Sequence, residues 1–219
     1  MSLAAAPRGH RHRVLADLVL PARSRALALA ADAALVVAGT ALVALSAQLT
    51  IPFWPVPLTA QTFAVLVIGT ALGPIRGAVS LALYLMIGVA GLPVFADGNS
   101  GSLFALTSGG YIVGFVAAAT LTGWLARRAW DRRIVGMFVT FLAGTATIYA
   151  FGVTWLYFSL QGLGPAVWHE ALGFETLLGA AFGAGLFPFL LGDVVKAIIA
   201  ALLVPLVWMG VRAVDARKS

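Results

Sequence analysis

FPFLLGDVVKAIIAALLV, residues 187–204, has the length and apolarity of the start of a membrane-spanning helix, yet it carries Asp193 and Lys196. Ionisable groups at membrane depth are costly unless they pair or face a polar cavity. Their i, i+3 spacing puts both on one helical face, within reach of each other. Either this face fastens the last helix to its neighbours, or it looks into a binding site for a small polar solute. A charge pair so close to a polar connection favours the binding site.

The rest of the chain supports a membrane setting. Of 219 residues, 61% are hydrophobic and 10% charged, whereas a soluble domain is about a quarter charged. Repeated long apolar runs then predict an all-α integral membrane bundle. No connection is long enough to hold a second, soluble domain. Cysteine is absent, which removes disulfides, thiol nucleophiles and cysteine metal sites. The reading divides the chain into a basic head at 1–25, a six-helix transmembrane domain at 26–211 and a basic tail at 212–219.

Six spans are expected: Ala26–Leu49, about Thr59–Leu72, Ala78 to about Ala90, Gly109–Ala126, Ile134–Phe158 and Pro188–Trp208. The second is short, so part of the proline-rich Ile51–Pro57 before it is expected to dip into the protein. Non-helical backbone at depth is tolerated only where protein buries it or it lines a cavity. The segment Ser159–Leu186 is expected to hold a short surface helix capping the bundle. In the first span, Ala26, Ala30, Ala34 and Ala38 recur every fourth residue. Such a stripe lets another helix approach closely in lipid, inside this bundle or on a partner subunit. Asp32 is expected to meet interfacial arginines or a neighbouring helix.

Charge fixes an expected orientation. Arginine and lysine fall in the head (Arg8, Arg11, Arg13, Arg23, Arg25), at Arg76, at Arg127, Arg128, Arg132 and Arg133, and in the tail (Arg212, Arg217, Lys218). The opposite connections carry Asp97, Glu170 and Glu175 and no basic residue. This positive-inside pattern places both termini in the cytoplasm of a multi-pass protein of the inner membrane. It also explains the net charge of +6 by orientation and membrane lipid rather than by nucleic acid. The apolar run after the head is too long for the core of a signal peptide, and further spans follow, which argues against a cleaved leader.

Enzyme chemistry finds little support. There is no G-x-x-x-x-G-K-[ST] phosphate loop and no H-E-x-x-H. The histidines, His10, His12 and His169, all lie outside the spans, so neither a metal site nor an intramembrane protease is expected. What remains is capture of a solute. Asn99 joins Asp193 and Lys196 on one side of the membrane, with Trp54, Phe95, Phe104, Tyr111 and Phe189 as aromatic neighbours. Gln61, near the start of the second span, faces a cavity or simply marks the interface. Trp54 suits the interface, Tyr111 an anchor or a pocket wall, and Asn99 beside glycine is also explained by turn chemistry alone. The set suits a ligand with amide-like groups, an apolar body and a negative charge.

Four segments in order, PVPLTAQTF (55–63), GLPVFADGNSG (91–101), TSGGYIVGF (107–115) and PFLLGDVVK (188–196), resemble BioY, the biotin-binding S component of energy-coupling-factor (ECF) vitamin transporters. The resemblance covers residues 26–210. It implies a six-helix bundle holding biotin near the outer face, with no cofactor. It also implies that Asn99, Asp193 and Lys196 contact the vitamin, the first two at the ureido ring and Lys196 at the carboxylate or at Asp193. The alanine stripe would dock onto an ECF module of a coupling membrane protein and two ATPases. A homo-oligomer, an S component for another vitamin and a membrane scaffold stay open as alternatives.

Overall fold

The computed structural model describes residues 13–19 and 24–216. The positions Arg8, His10, Arg11, His12, Arg23, Arg217 and Lys218 lie outside the described residues. The remaining chain is helical apart from one short hairpin and several connections.

A four-residue helix α1 (Ala16–Val19) precedes α2 (Arg25–Ala47). Ser24 caps α2 by accepting a hydrogen bond from the Leu27 amide at 3.3 Å, which satisfies one of the free amides of the first turn. A two-stranded ladder, β1 (Thr50–Ile51) with β2 (Leu58–Thr59), closes the proline-rich segment into a hairpin with Thr50 opposite Thr59. Within it Val56 is buried, so this segment does turn into the protein as expected.

α3 (Gln61–Leu72) and α4 (Pro74–Val89) follow, joined only by Gly73. Gly73 adopts φ +85°, a conformation that glycine reaches without the clash a Cβ causes. Pro74 then opens α4, where the missing amide costs nothing. α5 (Gly109–Ala126) is the centre of the bundle, with α3, α4 and α6 (Ile134–Leu163) packed around it. Close approach is required there: a Cβ added to Gly69 would lie 2.6 Å from the Ala119 carbonyl oxygen. α2 joins by one stripe, in which Thr40 donates to the Ser80 carbonyl at 2.9 Å. Its opposite face, including Ala26, Ala30, Ala34 and Ala38, is exposed.

The segment after α6 departs from expectation. A π-helical turn at Ala166–Ala171 does lie on the surface, with none of its residues buried. The next helix, α7 (Leu177–Gly185), is no cap: Ala180, Ala181 and Ala184 are buried, and it packs against both α6 and α8 (Phe187–Ala216). Its alanines and glycines let it fit where larger side chains could not.

Among the described residues, length and apolarity qualify four segments for crossing a membrane: α2, α5, α6 and the continuous α7–α8 run Leu177–Val211. α3 and α4 have 12 and 16 residues, or about 18 and 24 Å at 1.5 Å per residue, against a hydrocarbon core of about 30 Å. Exposed leucine, isoleucine and valine side chains cover the outer faces, as on α8 at Leu191, Ile198 and Leu202.

At the arginine-bearing end an ionic lattice ties the N-terminal segment down. Asp17 pairs with Arg76 at 2.7 Å and with Arg127 at 3.7 Å, and Arg76 also reaches Asp32 at 2.8 Å. Asp32 thus meets a neighbouring helix. Val14 is fully buried beneath this lattice. Burial pushes the Asp17 carboxyl up, but the Arg76 and Val14 hydrogen bonds and the charge of Arg127 win, holding it below its ordinary range.

Candidate functional site

The polar cavity lies between the hairpin and the starts of α3, α5 and α8, with α6 closing one side. Its empty volume, counting the space open to solvent at its mouth, is about 540 Å³. Val56, Pro57, Ile112, Phe115 and Phe189 form apolar walls, and Asp193, Lys196, Thr62 and Gln61 gather as a polar cluster.

α8 supplies the charged pair from one face. The Lys196 ammonium donates to Asp193 Oδ1 at 3.0 Å, to Thr62 Oγ1 at 2.7 Å and to the Thr59 carbonyl at 3.2 Å. An ammonium has three N–H donors, so all three are engaged. Asp193 Oδ1 also accepts from the Thr62 hydroxyl at 3.1 Å, and Oδ2 accepts from the Tyr149 hydroxyl of α6. The Asp193 side chain is 6% exposed and that of Lys196 28%. The carboxylate is thus the buried member and the ammonium the one nearer open space. A buried carboxylate that keeps its hydrogen bonds avoids the large penalty of an unpaired charge.

Tyr111 of α5 stands edge to face with Tyr149, ring centres 6.3 Å apart, and donates to the Gly185 carbonyl at 2.6 Å. It is a pocket wall as well as a tie between α5 and the end of α7. Gln61 lies on the cavity, not at a lipid interface. It is buried, its Nε2 donates to the Tyr84 hydroxyl at 2.8 Å, and Tyr84 passes the chain on to the Val94 carbonyl at 3.1 Å.

Two expected residues fall elsewhere. Asn99 and Trp54 do not line this cavity but an adjoining hollow of about 720 Å³, with Phe53, Asp97 and Thr107. Pro57, Ala96 and Ser108 border both spaces. Asn99 is held back by its own turn: its amide nitrogen and its Nδ2 both donate to the Ala96 carbonyl, at 3.2 and 2.9 Å. Its side chain is exposed. Among the aromatics, Phe189 lines the cavity and packs on Phe53 at 6.2 Å. Phe95 is buried against Tyr84, and Phe104 lies outside, stacked on Trp155.

Sequence reading missed Thr62 and Tyr149. Thr62 lies inside PVPLTAQTF, one residue past Gln61. Tyr149 is a hydroxyl in the middle of an apolar span, a signal that goes unnoticed when only ionisable groups are sought.

The site can accept hydrogen bonds at Asp193, donate them from Lys196 and Gln61, and enclose an apolar body between aromatic walls. Comparison with known proteins narrows its setting. The BioY family profile matches residues 18–213. A biotin transporter BioY of Rhizobium etli is 36% identical over 173 residues, covering 75% of this chain and 84% of that protein. One of Thermotoga maritima is 33% identical over 165 residues, 75% and 88% of the two chains. A solved S-component for biotin from an ECF-type ABC transporter superposes with a TM-score of 0.67 at 24% identity, over 86% of this chain and 95% of its own, which shows a common fold. With a family profile spanning nearly the whole bundle, and relatives 36% and 33% identical over three quarters of its length, the chain belongs to the BioY family.

Proposed function

We propose that this protein captures biotin at the membrane and serves as the substrate-binding subunit for its uptake. The observation that carries the reading is the Asp193 cluster at one end of an aromatic-walled cavity. Biotin offers two ureido N–H donors, an apolar thioether ring and a carboxylate tail. Asp193 accepts from the ureido N–H groups, Lys196, 3.0 Å from Asp193, holds that carboxylate ionised at the same end of the vitamin, and Tyr111, Phe115 and Phe189 cover the rings. Asn99 and Trp54 line the approach, and Gln61 completes the polar wall. The names of the relatives support this choice of vitamin.

The same reading takes residues 26–211 as six crossings, counting the short α3 and α4, between basic segments at 1–25 and 212–219. The arginine-bearing end faces the cytoplasm with both termini, by the positive-inside rule. The exposed alanines of α2 suit docking of the chain onto an ECF module, which would supply the ATP hydrolysis.

Equilibrium binding with the purified chain tests the proposal. Saturable biotin binding that thiamine and riboflavin do not displace is expected. Absence of saturation, or easy displacement by either vitamin, would reject biotin as the ligand.

A further inference from the structure

At the end of the bundle that holds Asp17 and Arg76, a second hollow opens between the α5–α6 connection and the first turns of α6. Its empty volume is about 1,510 Å³, and its lining includes Arg128, Arg132, Arg133, Trp130, Val135 and Val139. Arg76 and Arg127, at the same end, pair with Asp17 and Asp32. Among the described residues, the three arginines of the hollow pair with no carboxylate. The one acid between them, Asp131, is fully buried and accepts from Trp208 Nε1 at 2.6 Å. It is absent from the lining.

Two of the arginines are also positioned. Arg128 lies over the Trp124 ring at 3.6 Å and Arg132 over the Trp208 ring at 4.4 Å. Arg132 Nε is buried without a hydrogen-bond partner among the described residues. Beyond the charges the wall turns apolar: Val135 and Val139 are exposed on α6 and continue into its outer face. Orientation by positive charge requires arginines at this end, but it does not require them around a hollow with an apolar wall. Guanidinium groups match phosphate oxygens in pairs, and basic hollows beside transmembrane helices suit acidic lipid headgroups.

We infer that this hollow binds the phosphate headgroup of an anionic phospholipid from the adjacent leaflet, its acyl chains lying along Val135 and Val139. The test titrates the purified full chain, in neutral detergent, with phosphatidylglycerol, phosphatidylcholine or inorganic phosphate and reads bound species by native mass spectrometry. Saturable retention of phosphatidylglycerol is expected, without matching retention of phosphatidylcholine. The double variant R128Q/R133Q is expected to weaken it about 25-fold, about fivefold for each guanidinium removed. R25Q, which removes an exposed arginine outside the hollow, is expected to leave it unchanged. Equal retention by R128Q/R133Q and the parent, or equal uptake of phosphatidylcholine, overturns the inference. Displacement of the lipid by millimolar inorganic phosphate also overturns it, assigning the hollow to a soluble phosphate compound. If the double variant is not monodisperse, R133E alone is read by the same criteria.

Discussion

Tyr149 and Asp193 meet across the gap between α6 and α8, the phenol hydroxyl donating to Oδ2 while Thr62 donates to Oδ1 of the same carboxylate. The carboxylate that lines the cavity is therefore aimed by two side chains from two other helices. Tyr149→Phe keeps the ring and removes one donor. Hydrogen bonds to charged groups contribute about 1.5–3 kcal/mol, so the biotin Kd is expected to rise about ten- to a hundredfold in equilibrium dialysis. A Kd within experimental error of the parent would show that Tyr149 does not aim Asp193.

Lys196→Met leaves the Asp193 carboxylate almost enclosed and without its cation. Removing one partner of such a pair costs on the order of 3–5 kcal/mol, so stability in detergent is expected to drop sharply. The double variant D193N/K196M should regain most of that stability while binding no biotin. Thermal unfolding and binding, measured on the same samples, separate the two effects. Normal binding by the double variant would contradict the site.

Asn99→Ala distinguishes a ligand contact from a turn residue. The side chain is exposed and holds only the Ala96 carbonyl, so the thermal midpoint is expected to stay nearly constant. Loss of a hydrogen bond worth about 1 kcal/mol should raise the biotin Kd about fivefold. Unaltered affinity would leave Asn99 as turn chemistry alone.

Asp131 sets a pH dependence at the arginine-bearing end. Burial pushes its carboxyl up to about 6 from an ordinary 3.8, against the opposing Trp208 hydrogen bond and the charge of Arg132. The folded protein then holds this proton more tightly than the unfolded chain does, so stability rises as pH falls from about 6 towards 3.8. Asp17 is lowered and acts only below 3.8, where protonation begins to cost stability. Between pH 4 and 6, thermal midpoints of the parent should climb with acidification relative to Asp131→Asn. Parallel curves for the two proteins would refute the assignment.

Arg76 bridges α1 to α2 through Asp17 and Asp32. Partly exposed pairs are each worth up to about 1 kcal/mol and are screened by salt. Arg76→Gln is expected to lower stability by about 1–2 kcal/mol, more visibly at low ionic strength, with biotin affinity unchanged. A salt-independent loss would point to packing rather than charge.

The charged helix face was readable because Asp193 and Lys196 are three residues apart on one element, and periodicity alone joins them. The same holds for the arginines at the connections. What converges on them was not readable. Thr62 and Tyr149 arrive from 131 and 44 residues away, and their meeting depends on how closely helices pack at glycines such as Gly69. α7 went unforeseen as a packed helix for a related reason. Its run of small apolar residues is compatible with surface or interior, and only the space left between α6 and α8 decides. Asn99 was grouped with Asp193 because both lie towards one side, a criterion that says nothing about which hollow a turn faces.

The occupied ammonium of Lys196 has a dynamic consequence. With Asp193, Thr62 and the Thr59 carbonyl satisfying every proton, the cation is tied to acceptors of the protein itself. A ligand oxygen could engage this ammonium only by exchange, one internal bond opening as one external bond forms. Such an exchange changes the number of hydrogen bonds little, which suits a carrier that must let go of what it catches.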